Sequence, residues 1–127
     1  MAAAFRAQTT TSNTSHQSSL SLTKPTGTVE GDMIIFGISL TQGDLDTNLT
    51  PPAGVTQQIA GSHFGGSGEV GGTMCFKSAG ASEGSSYSFS WSVASEYAAI
   101  ALTYSDADTT IGGTGITSAF NPSSIRS

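Results

Sequence analysis

The chain has 127 residues but one cysteine, one tryptophan and only four Lys plus Arg. A single Cys75 excludes an internal disulfide and a multi-cysteine zinc site. Arg6, Lys24, Lys77 and Arg126 stand against nine Asp plus Glu, for a net charge of −5. Four scattered cations cannot form the basic stripe that displaces phosphate counterions, which argues against nucleic-acid binding. The same balance disfavours an anionic membrane surface. Long apolar runs are also missing: Met33 to Phe36 and Tyr97 to Leu102 fall far short of a membrane span. The first residues hold one cation, Arg6, and a short run from Ala2 to Phe5, which is not the pattern of a secretory signal. Charged residues make up 10%, well below the roughly 25% of an ordinary soluble domain. A helical bundle, whose surface needs Glu, Lys and Arg, is therefore disfavoured.

Hydroxyls and glycines fill the gap, with 21 Ser, 17 Thr and 16 Gly. This composition suits a β protein with many turns, and the length suits one domain with a modest core. Residues 1–17 are polar and show no hydrophobic period, so they are expected to form a flexible N-terminal arm that is free or orders on a neighbouring subunit. The domain is expected over residues 18–127. Leu20 and Leu22 alternate with hydroxyls as in a half-buried strand. Lys24-Pro25-Thr26-Gly27 reads as a turn. Met33 to Leu40 is apolar on both faces and reads as a central strand. A loop from Gln42 to Pro52, a weaker strand from Val55 to Ile59 and a long glycine-rich connection from Gly61 to Gly72 follow. Thr73 to Ser78 reads as a further strand. In Tyr87 to Val93 every second residue is large and apolar, which places Tyr87, Phe89, Trp91 and Val93 on one face. Tyr97 to Tyr104 reads as a second central strand, since the Ser and Thr around it are poor helix formers. One more strand is expected near Gly115 to Phe120. Six or seven strands separated by turns predict an all-β fold, an antiparallel β-sandwich or barrel.

Residues suited to chemistry are few and scattered. His16 and His63 are the only imidazole bases. His16 falls in the expected arm, and adjacent strand residues such as Ser62 and His63 point to opposite faces, which defeats a nucleophile–base pair. Cys75 lies in an apolar strand, where a thiol behaves as a small hydrophobe. The acidic pairs Asp44 with Asp46 and Asp106 with Asp108 sit in turns, where Asp bonds nearby amides. The functional alternative is a hard-cation site, and two acids are too few to hold Ca²⁺ unless the two loops meet or backbone carbonyls contribute. Gly65-Gly66-Ser67-Gly68 and Gly71-Gly72 lack the Lys-Ser or Lys-Thr and the helix start of a phosphate loop. Asn13-Thr14-Ser15 and Asn48-Leu49-Thr50 match the glycosylation pattern, which matters only in a eukaryotic secretory setting. Trp91 belongs to the alternating strand and is expected in the core, while Tyr97 and Tyr104 suit either core or interface. No catalytic, cofactor-binding or metal-ligating residue is assigned.

Several fragments carry a resemblance in their order. They are Leu20 to Pro25, Val29 to Ile35, Thr50 to Val55, Phe76 to Glu83, Ser86 to Trp91 and Ala99 to Thr110. Across residues 18–111 the chain resembles a recurrent β-sandwich domain of phage virion structural proteins. The resemblance implies a jelly-roll-like sandwich without enzymatic activity or cofactor. It implies a capsid decoration, or cement, protein on the outer surface of the virion. Its partners would be the major capsid protein and further copies of the chain, with a homotrimer favoured. A tail-fibre or carbohydrate-binding module is the alternative, and it predicts exposed aromatics on loops or on one sheet face. Domains of this kind usually continue past the Asp108-Thr109-Thr110 turn. The early end implies an open sheet edge able to pair with another chain, with residues 112–127 closing this sandwich or a neighbour's.

Overall fold

In the computed structural model, residues 2–41, 49–64 and 70–107 are described, without the side chains of 58–64 and 70. They form five strands and, among the described residues, no helix: β1 (Ala4–Thr23), β2 (Met33–Leu40), β3 (Thr56–Phe64), β4 (Val70–Ser78) and β5 (Ser86–Ser105). All belong to one antiparallel sheet in the order β1-β5-β2-β4-β3. The all-β expectation is met. β2 has the expected bounds and lies at the centre, and Tyr97 to Tyr104 is indeed strand, between β1 and β2. The hydroxyl-rich tail from Asp108 onward, including the strand expected near Gly115 to Phe120 and the segment 112–127, lies outside the described residues.

Three expectations are corrected. Ordered structure begins at Ala4, not near Ser18, and the presumed arm is half of a 20-residue strand. Its residues lack a hydrophobic period because β1 is an edge strand held by backbone pairing to an apolar partner. Burial nonetheless alternates, with Ala7, Thr9, Thr11 and Asn13 half-buried between exposed neighbours. The glycine-rich connection is shorter than expected, since β3 runs to Phe64 and β4 starts at Val70. The strands read separately at Tyr87 to Val93 and Tyr97 to Tyr104 are one strand, β5.

That strand cannot be straight. Phe36 pairs with Ala101 in β5, and its ring also sits 5.3 Å from Phe89 and 4.9 Å from Tyr87 of the same strand. Twelve residues of straight strand span roughly 40 Å. β5 therefore doubles back, and the ring contact of Trp91 with Tyr97 at 5.8 Å locates the bend between them. β1 follows it. Its register with β5 shifts between Asn13 and Gln17 and again between Gln17 and Ser19, opposite the same stretch of β5. Such irregularities bend a strand pair and increase its twist. The Leu20–Thr23 and Ser86–Trp91 halves thereby lie over the inner face of the sheet.

The core forms where the two meet. Ile34, Phe36, Ile38 and Leu40 of β2, with Cys75, Ala99 and Ala101 beside them, pack against Leu20, Leu22, Tyr87, Phe89 and Trp91. Phe36 meets Tyr87 and Phe89 edge-to-face, a geometry worth about 0.5–1.5 kcal/mol beyond area burial. Tyr87, Phe89 and Trp91 point inward as expected, but Val93 is 48% exposed. The buried positions stay odd-numbered on both sides of the bend, at Trp91, Ser95 and Ala99, so the alternation is not shifted. Val93 is exposed because Ser92, Val93 and Ala94 all lie in the bend itself, clear of the core.

Two consecutive turns join β1 to β2. Thr28 N–H donates to the Pro25 carbonyl and Asp32 N–H to the Val29 carbonyl. The third residue of each is a glycine with positive φ, Gly27 at 81° and Gly31 at 88°, which fits type II turns. The carboxylate of Asp32 then accepts from Val29 N–H and pairs with Arg6 through Nε (2.8 Å) and Nη2 (3.2 Å). This two-pronged contact, with the Asp32 side chain buried, pins the start of β1 to the start of β2.

Phe36→Ala is expected to lower unfolding free energy by about 3–5 kcal/mol, because it leaves a cavity under Tyr87 and Phe89. Val93→Ser is expected to stay within about 0.5 kcal/mol, as for an exposed site. Urea unfolding of both variants measures the contrast.

Candidate functional site

The inner face holds the only thiol of the chain, Cys75, which is fully buried. Burial pushes its pKa up to about 11, and a hydrogen bond with Thr73 offsets part of that rise. A neutral, enclosed thiol is a poor nucleophile. His16 is exposed in the bent part of β1. Ser62 and His63 lie in β3 in register with Gly72 and Gly71. Asp44, Asp46 and Asp108 lie outside the described residues. Asp106 follows β5 with φ of 53°, a left-handed turn position that Asp tolerates. Among the described residues, no three His, Cys, Asp or Glu side chains gather as metal ligands. No helix among them is long and apolar enough to cross a membrane.

Trp91 is part of the core, as its alternating strand implies. Its indole N–H donates to the Gln17 carbonyl at 2.8 Å, and its ring packs on Tyr97. The contact satisfies a backbone carbonyl at the β1 bend.

One polar cluster was not legible in the sequence. Lys77 of β4 pairs with Glu83 of the following turn at 2.7 Å, the two side chains being 18% and 7% exposed. The Lys77 ammonium also stands 5.9 Å from the centre of the Tyr87 ring, within cation–π range. Burial alone would raise the Glu83 pKa. Hydrogen bonds from Lys77 and from Gly80 N–H, with the Lys77 charge, outweigh burial and bring it below its ordinary value of 4.5. The Tyr87 hydroxyl is pushed up by burial and by the Glu83 charge. The hydroxyl is buried without a partner in hydrogen-bonding geometry, so it is the Glu83 charge that acts on Tyr87 and not a bond between them. The cluster locks the β4–β5 turn onto the sheet. A spacing of six residues between a strand lysine and a turn glutamate gives no signal by itself.

The outward face of the sheet is different in character. Directly paired residues of neighbouring strands share a face. Leu102, Ile35 and Phe76 form one row across β5, β2 and β4, and Ile100, Gly37 and Met74 the next. Ile100 lies over Gly37, where an added Cβ would come within 3.3 Å of its Cγ2. Met74 is 42% exposed and the other apolar side chains of the rows are half-buried. Phe5, 55% exposed, stands edge-to-face on Tyr104 at the end of this face, with ring centres 5.8 Å apart. None of these residues carries a charge. The result is a smooth apolar surface on a sheet, not a cleft lined with reactive groups.

In comparisons with known proteins, the chain matches no protein family, no curated protein and no solved structure.

Two outcomes test the polar groups. Stability from Glu83 should be complete above about pH 4.5, the ordinary value, and should be lost as pH falls through its lowered folded value. Melting curves of wild type and Glu83→Gln should therefore differ above that point, with wild type the more stable, and should converge as acid protonates Glu83. Cys75 should resist a thiol reagent at pH 8 in the folded chain and react promptly in denaturant.

Proposed function

We propose that the chain is a non-enzymatic structural protein of a phage virion, a capsid decoration or cement protein seated on the outer capsid surface. In this reading the folded-back sheet serves as a jelly-roll-like sandwich body. The partners are the major capsid protein and further copies of the chain. The observation that carries the reading is the outward apolar face of β5, β2 and β4, with Phe5 and Tyr104 at its end. Contiguous apolar surface on a soluble body marks contact with another macromolecule. The polar groups support it too: Arg6 and Lys77 are engaged in ion pairs that brace turns, Arg6–Asp32 and Lys77–Glu83. A carbohydrate-binding or tail-fibre module is the second reading, supported by the exposed Phe5 against Tyr104.

Purified protein added to phage capsids assembled without it should bind saturably at symmetry-related positions, visible by cryo-electron microscopy. Met74→Glu should weaken binding at least tenfold while leaving the melting temperature within a few degrees. Failure to bind, or binding indifferent to Met74→Glu, would count against the cement reading. Glycan binding lost in Phe5→Ala would favour the module.

A further inference from the structure

The outer edge of β1 is unusually open. β1 is the last strand of the sheet on its side, and β5 is its only neighbour among the described residues. From Ala7 to Asn13 its pairing with β5 is regular, residue for residue, from Thr103 to Tyr97. Every second residue of that stretch must then turn its N–H and C=O away from β5. Natural sheets guard such edges with lysine, proline, bulges or a very short strand. Residues 7–15 read Ala-Gln-Thr-Thr-Thr-Ser-Asn-Thr-Ser, with no charge and no proline. Their threonines are strong strand formers. The opposite edge is guarded: β3 slips register against β4 between Gln57 and Ile59 and again between Ile59 and Ser62.

We propose that residues 7–13 of β1 pair antiparallel with the same residues of a second copy, across a twofold axis at Thr10. Unpaired backbone groups in an extended row recognise another strand, and a copy of this one fits on three counts. An antiparallel pair is the more stable kind. Self-pairing centred on Thr10 uses the whole regular stretch: Thr10 faces Thr10, Thr9 faces Thr11, Gln8 faces Ser12 and Ala7 faces Asn13. Finally, a chain of net charge −5 repels its copies everywhere except along neutral surface, and this edge is neutral. A threefold ring would require each β1 edge to meet a different edge of the next copy, because heterologous contacts generate rings. The irregular β3 edge is poorly suited to that role. The pairing therefore makes the dimer the solution unit, in place of the trimer that the family resemblance implies. It does not depend on capsid binding.

The test is sedimentation of the full chain at high micromolar concentration, with two variants. Wild type should sediment at twice its 12.8 kDa. Thr10→Lys, which sets two like charges opposite each other, should sediment as a monomer with unchanged circular dichroism. Thr10→Cys should form a covalent dimer under mild oxidation. Facing residues at the axis have Cα atoms roughly 4.5–5.5 Å apart, inside the roughly 4.4–6.8 Å that a disulfide spans. Gln8→Cys alone should not cross-link, whereas mixed with Ser12→Cys it should. A wild-type monomer or trimer, a dimer indifferent to Thr10→Lys, or absence of the Thr10→Cys cross-link would overturn the proposal. If Thr10→Lys fails to fold, the cysteine pattern alone decides.

Discussion

The structure depends on the meeting of Phe36 with Tyr87 and Phe89. A single antiparallel sheet has two faces, and an apolar one must be covered. This chain supplies no helix among its described residues to do so. The cover comes from the far halves of the same strands that build the sheet. A straight strand of 20 residues would span roughly 65 Å, whereas a chain of this length folds to a radius of gyration of about 14 Å. β1 and β5, each of 20 residues, must bend, and the aromatic contacts fix where the returning halves land.

Bending a strand pair frees backbone groups that the ladder would otherwise satisfy. The residues at the bend meet that demand. The Trp91 indole donates to the Gln17 carbonyl, Ser95 Oγ donates to the Val93 carbonyl, and Thr41 N–H reaches the Glu96 carbonyl from the end of β2. The hydroxyl-rich composition has a local purpose here: short polar side chains can satisfy backbone groups inside a crowded fold. The same reasoning applies at the β1–β2 turns, where Thr28 and Thr103 share a buried hydrogen bond of 2.9 Å.

Much of this was legible in the residues, and the failures are instructive. Met33 to Leu40 stood out because a central strand is apolar on both faces. Tyr87, Phe89 and Trp91 were placed inward by simple alternation. Val93 departs from the alternation because it sits in the bend, where three consecutive residues are exposed before burial resumes at Ser95, and nothing in Ser92-Val93-Ala94-Ser95 announces that bend. Residues 4–17 looked like an arm because a strand at a sheet edge takes its conformation from its partner and needs no hydrophobic stripe of its own. Of the interaction surface, the apolar residues of Ile100 to Tyr104 were visible but not their direction, since facing depends on register with β2 and β4. The Lys77–Glu83 pair was hidden for the same reason: its members meet through the path of a turn, not through a periodic spacing.

These features bear on how the molecule can associate. Arg6 is tied to Asp32 and Lys77 to Glu83, so half of the four cations are engaged inside the fold. Long-range charge then contributes repulsion between copies and little attraction toward any acidic partner. What the surface offers is shape, apolar rows and unpaired backbone. Salt weakens attraction between exposed charges, but it has little hold on backbone pairing or on apolar burial. Added salt screens the mutual repulsion of a chain at −5, so association through β1 or through the outward sheet face should strengthen with ionic strength. Binding carried by charge would weaken. The direction of that dependence separates a body built for close packing from one that recruits its partners electrostatically.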